Sequence, residues 1–369
     1  MAFGLGLVAA LLADLQDAYG FPVWGLGVIS GISFLTGFAG NVALGPLADR
    51  GHIRIMLIGG VVAGAGSLVW LALATRLWEF VASRAVFGIA DGMFLPAIRC
   101  LVLTWRPDRP GTELGALMGV GMGVFVLGPV AGGLLAEALG LRVAFLIPAL
   151  ALAVTLPLVL RLPCPRVAQP RGPGPGLLRQ PRVRAALLLG ASRFFVLGAI
   201  GAVWARLVTD RGASTAQVGF TLSLVLLPVV LLTPGAGRLV DRVDPARTAL
   251  VAVAAIALVA PLYGVVETVM LTVVIGMTHG ALSGITAPAS QALTARGSPS
   301  GQIASGQGLL EGMGLLAAAV AALPMGWVYG SFGAGGVGAA IAIPTTLLWL
   351  GALIELRRAR RAGPAPRDH

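Results

Sequence analysis

GPLADRGHIR at residues 45–54 and GRLVDRVDPAR at 237–247 share the pattern Gly-x-Leu-x-Asp-Arg, 192 positions apart. The register extends well beyond the two segments. Gly20 meets Gly212, Gly27 meets Gly219, Pro96 meets Pro288, Asp49 meets Asp241 and Arg50 meets Arg242 at the same offset. An offset held over that length predicts two structurally equivalent halves. It also aligns Met1 with Arg193, inside a later apolar run. The first run therefore looks about two helical turns short, as if the chain began late.

Around the repeat the chain is almost entirely apolar. Hydrophobic residues make up 57% and charged residues 11% of its 369 residues, and the mean hydropathy is +0.91. Soluble domains carry roughly 25% charged residues, so the solvent around most of this chain is lipid. Apolar runs lie at 1–18, 24–48, 54–75, 78–104, 114–137, 142–160, 184–208, 215–240, 247–266, 268–292, 303–330 and 334–356. Each approaches the ~20 residues that cross a bilayer as a helix. The runs are continuous and not alternating, which predicts helices and not a barrel. Gly and Pro inside them suit close helix approach in lipid. The expected fold is all-α and integral to the membrane: twelve transmembrane helices in two pseudo-symmetric six-helix bundles, 1–160 and 185–356. Residues 161–184, rich in Pro, Gly and Arg, read as a linker, and 357–369 as a basic tail. Two such halves related by an axis along the membrane normal allow access to alternate by rocking.

All 26 basic residues are arginine, and the net charge is +11. With the N-terminus inside, 20 of the 26 fall in cytoplasmic loops and only Arg76, Arg142, Arg206 and Arg211 fall outside. The positive-inside rule then puts both termini in the cytoplasm of a multi-pass inner-membrane protein. Arginine confined to short loops argues against nucleic acid as a partner. Cys100 and Cys164 sit at or beside cytoplasmic loops, where a disulfide is not expected, and without clustered His they make no metal site.

Charges within the runs are expensive and normally face a polar path. Arg84 and Asp91 are seven residues apart, on one helix face and roughly 10 Å apart along the axis. Glu311 lies eight residues into its run with no cation near it in sequence. Arg193 should sit ~13 Å deep, where it either snorkels or faces the cavity to hold an anion. His279 reads as a packing histidine or a titrating one. Asn41 and Gln291 are further cavity candidates, and Asp14 lies near the outer mouth. An Asp at the end of a span that faces a helix N-terminus or an Arg contributes ~0.3–1 kcal/mol exposed and up to ~2 when partly buried. Asp49, Arg50, Arg54, Asp241 and Arg242 together are expected to form a breakable cytoplasmic gate.

These segments resemble the major facilitator superfamily. GPLADRGHIR is similar to its loop 2–3 signature and GRLVDRVDPAR to the repeat in loop 8–9. His52 and Ile53, like Asp244 and Pro245, replace the usual tail. VASRAVFGIADG at 81–92 resembles the span-four signature, where the resemblance links Arg84 to proton coupling. Gly128, Pro129, Gly132 and Gly133 in GPVAGG resemble the antiporter signature, with Val124 in place of a usual Gly. Pro129 removes a backbone bond, so a hinge is expected there, and the glycines permit close packing. The resemblance implies proton-coupled efflux of a drug-like molecule or small metabolite by a monomer, with Arg84, Asp91, Glu311 and Asp14 as coupling candidates.

Enzyme signatures such as G-x-S-x-G, H-E-x-x-H or a P-loop do not occur. Neither a cofactor nor an ATP site is expected, so active transport would draw on an ion gradient. The alternatives are an importer or facilitator of an organic solute, an organic anion suiting Arg84 and Arg193, and a transport-inactive sensor, scaffold or membrane enzyme.

Overall fold

A computed structural model describes residues 1–105, 110–163, 176–299 and 302–361. The side chains of Asp49 and Asp241, together with Cys164, most of the linker and residues 362–369, lie outside the described residues. Among the described residues every regular element is helical. They are α1 (Ala2–Ala10), α2 (Leu12–Tyr19), α3 (Trp24–Asp49), α4 (Ile53–Leu73), α5 (Leu77–Trp105), α6 (Pro110–Leu139), α7 (Leu141–Val154), α8 (Leu156–Arg161), α9 (Pro181–Thr209), α10 (Thr215–Arg242), α11 (Pro245–Val259), α12 (Val269–Gly297) and α13 (Ile303–Arg361). Among the described residues ten helices are long and apolar enough to cross a membrane, or eleven if α1 and α2, bent by 53°, form one span. Large apolar side chains point outward along them. Leu258 is 79% and Met270 78% exposed. Only a lipid solvent leaves such faces uncovered without cost.

Several runs are less regular than their composition implies. The first breaks at Leu11, and the run at 142–160 breaks at Thr155 between α7 and α8. The run at 247–266 ends in a 3-10 turn, Ala260–Gly264. The linker gives way early: Leu177–Arg179 is a 3-10 turn and α9 starts at Pro181, whose fixed φ suits a first helical position.

The 59 residues of α13 would extend about 88 Å at 1.5 Å per residue, far beyond ~30 Å of hydrocarbon. Gly333 breaks the run, with φ 61° and ψ −157°, a combination open essentially to glycine alone. The limb before it ends with Tyr329 donating to Asp210 Oδ2 at 2.6 Å, just beyond α9. The limb after it ends with Glu355 Oε2 accepting from Arg184 Nε and Nη2 at 2.9 and 2.6 Å, in the first turns of α9. The first limb therefore runs parallel to α9, from Leu310 beside Gly190 to Tyr329, and the second runs back antiparallel to it.

The Arg184 guanidinium also donates to the Leu178 and Arg179 carbonyls at 2.9 and 3.1 Å. One arginine thus ties the linker's exit, α9 and the end of α13 together. Glu355→Ala removes the carboxylate it pairs with. Hydrogen bonds to a charged partner contribute about 1.5–3 kcal/mol each, reduced here because the Arg184 side chain is 33% exposed. A fall in thermal midpoint of several degrees is expected in detergent, read by scanning fluorimetry.

The two halves of the chain meet at glycines that the repeat itself pairs. On α3, a Cβ on Gly27 would lie 2.5 Å from the Ala322 carbonyl oxygen and 2.9 Å from the Gly326 amide nitrogen of α13. On α10, a Cβ on its repeat mate Gly219 would overlap the Pro129 carbonyl oxygen and come within 3.3 Å of Gly133 Cα on α6. Backbone rests on backbone at both places. Both lie at the start of their helices, at the end of the molecule opposite the Asp-Arg motif.

Candidate functional site

The same end carries polar contacts between the halves. Arg206 of α9 pairs with Asp17 of α2 and, at 2.8 Å, with Asp210. Thr215 donates to Asp14 Oδ1. Glu137 Oε2 accepts from the Ala216 N–H at 3.0 Å, in the first turn of α10, where the helix dipole favours an anion. Ser223 Oγ donates to the Val126 carbonyl at 2.6 Å. Asp17 is 57% exposed, so its pair adds only ~0–1 kcal/mol. Asp14, expected at a mouth, is a bridge between the halves.

At the motif end the two copies close differently. Gly51 takes φ 86°, a left-handed turn that suits glycine and leads into α4. Its repeat mate is Val243, with an extended φ of −118°. There Asp244 caps α11 by accepting from the Ala246 N–H at 3.1 Å, and Pro245 follows at the first helical position. The altered motif tails thus correspond to two turn chemistries. Arg54 donates to the Leu160 carbonyl at the end of α8, while Arg50 and Arg242 are exposed.

The GPVAGG segment does not interrupt α6, which continues through Pro129. A Cβ on Gly128 would lie 2.5 Å from the Phe3 carbonyl oxygen, and one on Gly132 would lie 2.8 Å from Leu7 Cγ, both on α1. One on Gly133 would lie 2.7 Å from the Thr215 carbonyl oxygen. The segment thus holds α1 on one side and α10 on the other.

Deeper in lie two cationic centres, one in each half. Arg84 of α5 is 3% exposed. Its Nη2 donates to Ser33 Oγ of α3 at 2.9 Å, and the guanidinium carbon lies 5.0 Å from the Phe87 ring centroid. Gly92 allows this approach: a Cβ there would lie 2.8 Å from the Asn41 nitrogen and the Gly37 oxygen of α3. Asp91 on the same helix is the acid whose field acts on Arg84. Arg84 Nε and Nη1 face no acceptor among the described residues. A buried donor left so costs about 1–3 kcal/mol, more when charged.

The second centre is Arg193 of α9, stacked 4.0 Å from the Phe194 ring centroid with its Nε also lacking an acceptor among the described residues. Glu311 of α13 is the acid whose field acts on it. Tight packing brings them opposite, for a Cβ on Gly190 would lie 2.5 Å from Leu310 Cδ1. Sequence offered no cation for Glu311 because its partner lies on another helix. One residue on, a Cβ on Gly312 would lie 3.7 Å from Phe38 of α3, so this level of α13 abuts the N-terminal half.

Other candidates are placed elsewhere. His279 is 2% exposed, with Nδ1 3.2 Å from the Tyr263 hydroxyl and Nε2 3.1 Å from the Ile256 carbonyl. Both nitrogens are satisfied within the C-terminal half, which is the packing arrangement. The Gln291 carbonyl accepts from Gln307 Nε2 at 2.8 Å. Asn41 is half-buried beside Gly92. No group of three or more metal-binding side chains occurs among the described residues.

Two repeated helical halves, closed on each other at one end and carrying buried charges between lipid-facing surfaces, define a membrane transporter. A model of the Major Facilitator Superfamily matches residues 1–205 and again 185–369, and the chain belongs to that family. Its curated relatives include the multidrug resistance protein MdtG of Citrobacter koseri, 29% identical over 282 residues, covering 72% of this chain and 69% of the relative. MdtG of an Escherichia coli O6:K15:H31 strain is 30% identical over 283 residues, covering 72% and 68%. Among solved structures, a point mutant of the nucleoside transporter NupG aligns with a TM-score of 0.78 at 14% identity, covering 96% of this chain and 97% of that one. A bacterial homologue of the human lysosomal transporter Spinster, inward-facing and occupied, gives 0.78 at 14% identity, covering 99% and 96%.

Proposed function

We propose that this protein is a proton-coupled antiporter that expels a drug-like molecule or small metabolite by alternating access. The observation that carries the reading is an arginine within the field of an acid in each half of a chain similar to MdtG, Arg84 with Asp91 and Arg193 with Glu311. A carboxylate that gains a proton withdraws its field from the arginine, whose own field then acts on substrate or on the other half. Asp14 joins them as a third acid, placed where protonation weakens the contact with Thr215. A ligand drives such a change only by the difference in its affinity for the two states.

In this reading α1 with α2 is one crossing and the limbs of α13 are two, giving twelve spans in two six-helix bundles. One chain supplies both bundles and works as a monomer. The arginine-rich motif end lies in the cytoplasm with both termini, in the inner membrane. The contacts at Gly27 and Gly219 then close the outer side, and Asp49, Arg50, Arg54, Asp241 and Arg242 close the inner side in the opposite state.

The unpaired guanidinium N–H groups of Arg84 and Arg193 favour one second reading, a facilitator or importer of an organic anion. Proteoliposomes with an imposed pH gradient separate the two. Antiport predicts accumulation of a fluorescent cationic drug that collapses with the gradient and is lost when Asp91, Glu311 and Asp14 are all replaced by their amides. Flux that ignores the gradient, or that favours organic anions, contradicts it.

A further inference from the structure

A groove of about 310 Å³ opens on the outside of the C-terminal half. Leu239 and Val243 of α10, Val251 of α11, and Leu282 and Ile285 of α12 line it, and Arg247 stands at its motif end. Leu239, Val251 and Arg247 are exposed. Beyond Arg247 and Thr248 its lining is apolar.

At the equivalent level of the N-terminal half, 192 residues earlier, a side chain covers the mate of Val251. Met93 stands at the position of Ile285, and its Cε would lie 2.7 Å from a Cβ on Gly59, the mate of Val251. Ile55 stands at the position of Arg247. The C-terminal half thus has both a gap and a cation where the other half has neither.

Other arginines occupy the same end of these helices. Arg238 and Arg242 are exposed on the last turns of α10, and Arg296 is exposed near the end of α12. Asp244, the acid beside Arg247, accepts from the Ala246 N–H as the cap of α11. An apolar slot along a lipid-facing surface, topped by arginines, complements one molecule in particular: a phospholipid with an anionic headgroup. We propose that the groove between α10, α11 and α12 binds an anionic phospholipid, its headgroup against Arg247 and an acyl chain along Val251, Leu282 and Ile285. The occupant fills the gap that α10 leaves beside α11, and α10 is the helix whose Gly219 end meets the other half. A lipid held there bears on the helix that must move.

The test uses the full chain in detergent, stripped of lipid and offered phosphatidylglycerol and phosphatidylcholine with matched oleoyl chains, with retained lipid read by native mass spectrometry. Phosphatidylglycerol should be retained in preference. Arg247→Gln should lower its retention by roughly fivefold, the factor for one cationic side chain at an anionic surface, and leave phosphatidylcholine unchanged. Ile285→Trp, which fills the slot, should lower both, and Arg142→Gln at the opposite end should alter neither. Equal retention of the two lipids, or retention of phosphatidylglycerol indifferent to Arg247→Gln, overturns the proposal. Retention in detergent requires no transport, so this result stands apart from that of the flux assay.

Discussion

Gly219→Leu is expected to hold the molecule open at the end opposite the Asp-Arg motif and to stop transport. The Cβ of any larger residue at 219 meets the Pro129 carbonyl oxygen and Gly133 Cα. These are backbone atoms in the middle of α6, so no side chain can swing aside. Overpacking of this kind costs about 1–3 kcal/mol. Here the cost falls only on the state in which α10 rests on α6, so it shifts the balance of states by about 5–150-fold. Gly27→Leu should act the same way through Ala322 and Gly326, and two changes so far apart should add. Gly201→Leu is the control, since nothing lies within 4 Å of a Cβ there. A cysteine at Ser223, 7% exposed beneath the contact, should react faster with an impermeant maleimide when Gly219 is replaced. Unchanged labelling with transport intact would remove these glycines from the mechanism.

Arg84→Ala is expected to abolish coupled transport, and Arg84→Lys should not restore it. The guanidinium bonds Ser33, lies over the Phe87 ring and leaves two further N–H directions open. A lysine supplies the charge but not the planar fork that makes these contacts together. Removing Arg84 also takes away one of the cations whose fields act on Asp91, Arg99 being another. A loss of transport of two orders of magnitude or more is expected, with folded protein retained in Arg84→Ala/Asp91→Asn, where neither charge is left alone. Transport in vesicles with an imposed pH gradient, set against the monodisperse fraction in detergent, measures both. Near-normal coupled transport in Arg84→Lys would reduce Arg84 to a generic charge.

Most of the architecture is legible because lipid removes ambiguity. A chain this apolar must satisfy its backbone within helices. The repeat was legible because Gly27 and Gly219 hold equivalent contacts, so the register follows a shared packing demand. What sequence could not provide was partnership across elements. Glu311 looked isolated until α9 placed Arg193 across from it, and Asp14 could be placed only near a mouth until α10 brought Thr215 to it. Pro129 lies within α6, and which helices its neighbouring glycines meet, α1 and α10, was not legible. The turn at Gly333 was visible only as a gap between two apolar runs; its cause is a backbone conformation that a glycine-rich stretch does not single out.

The central claim is that the two halves rock about a shared centre, so that one end opens as the other closes. Spin labels at His52→Cys and Arg296→Cys report across the motif end, and labels at Arg76→Cys and Glu267→Cys across the opposite end, all at exposed positions and with Cys100 and Cys164 replaced. Double electron–electron resonance on the two pairs, at pH values either side of carboxylate titration, should show distances that change in opposite senses: shorter across one end wherever longer across the other. Distances that stay fixed, or that lengthen and shorten together, would contradict the account.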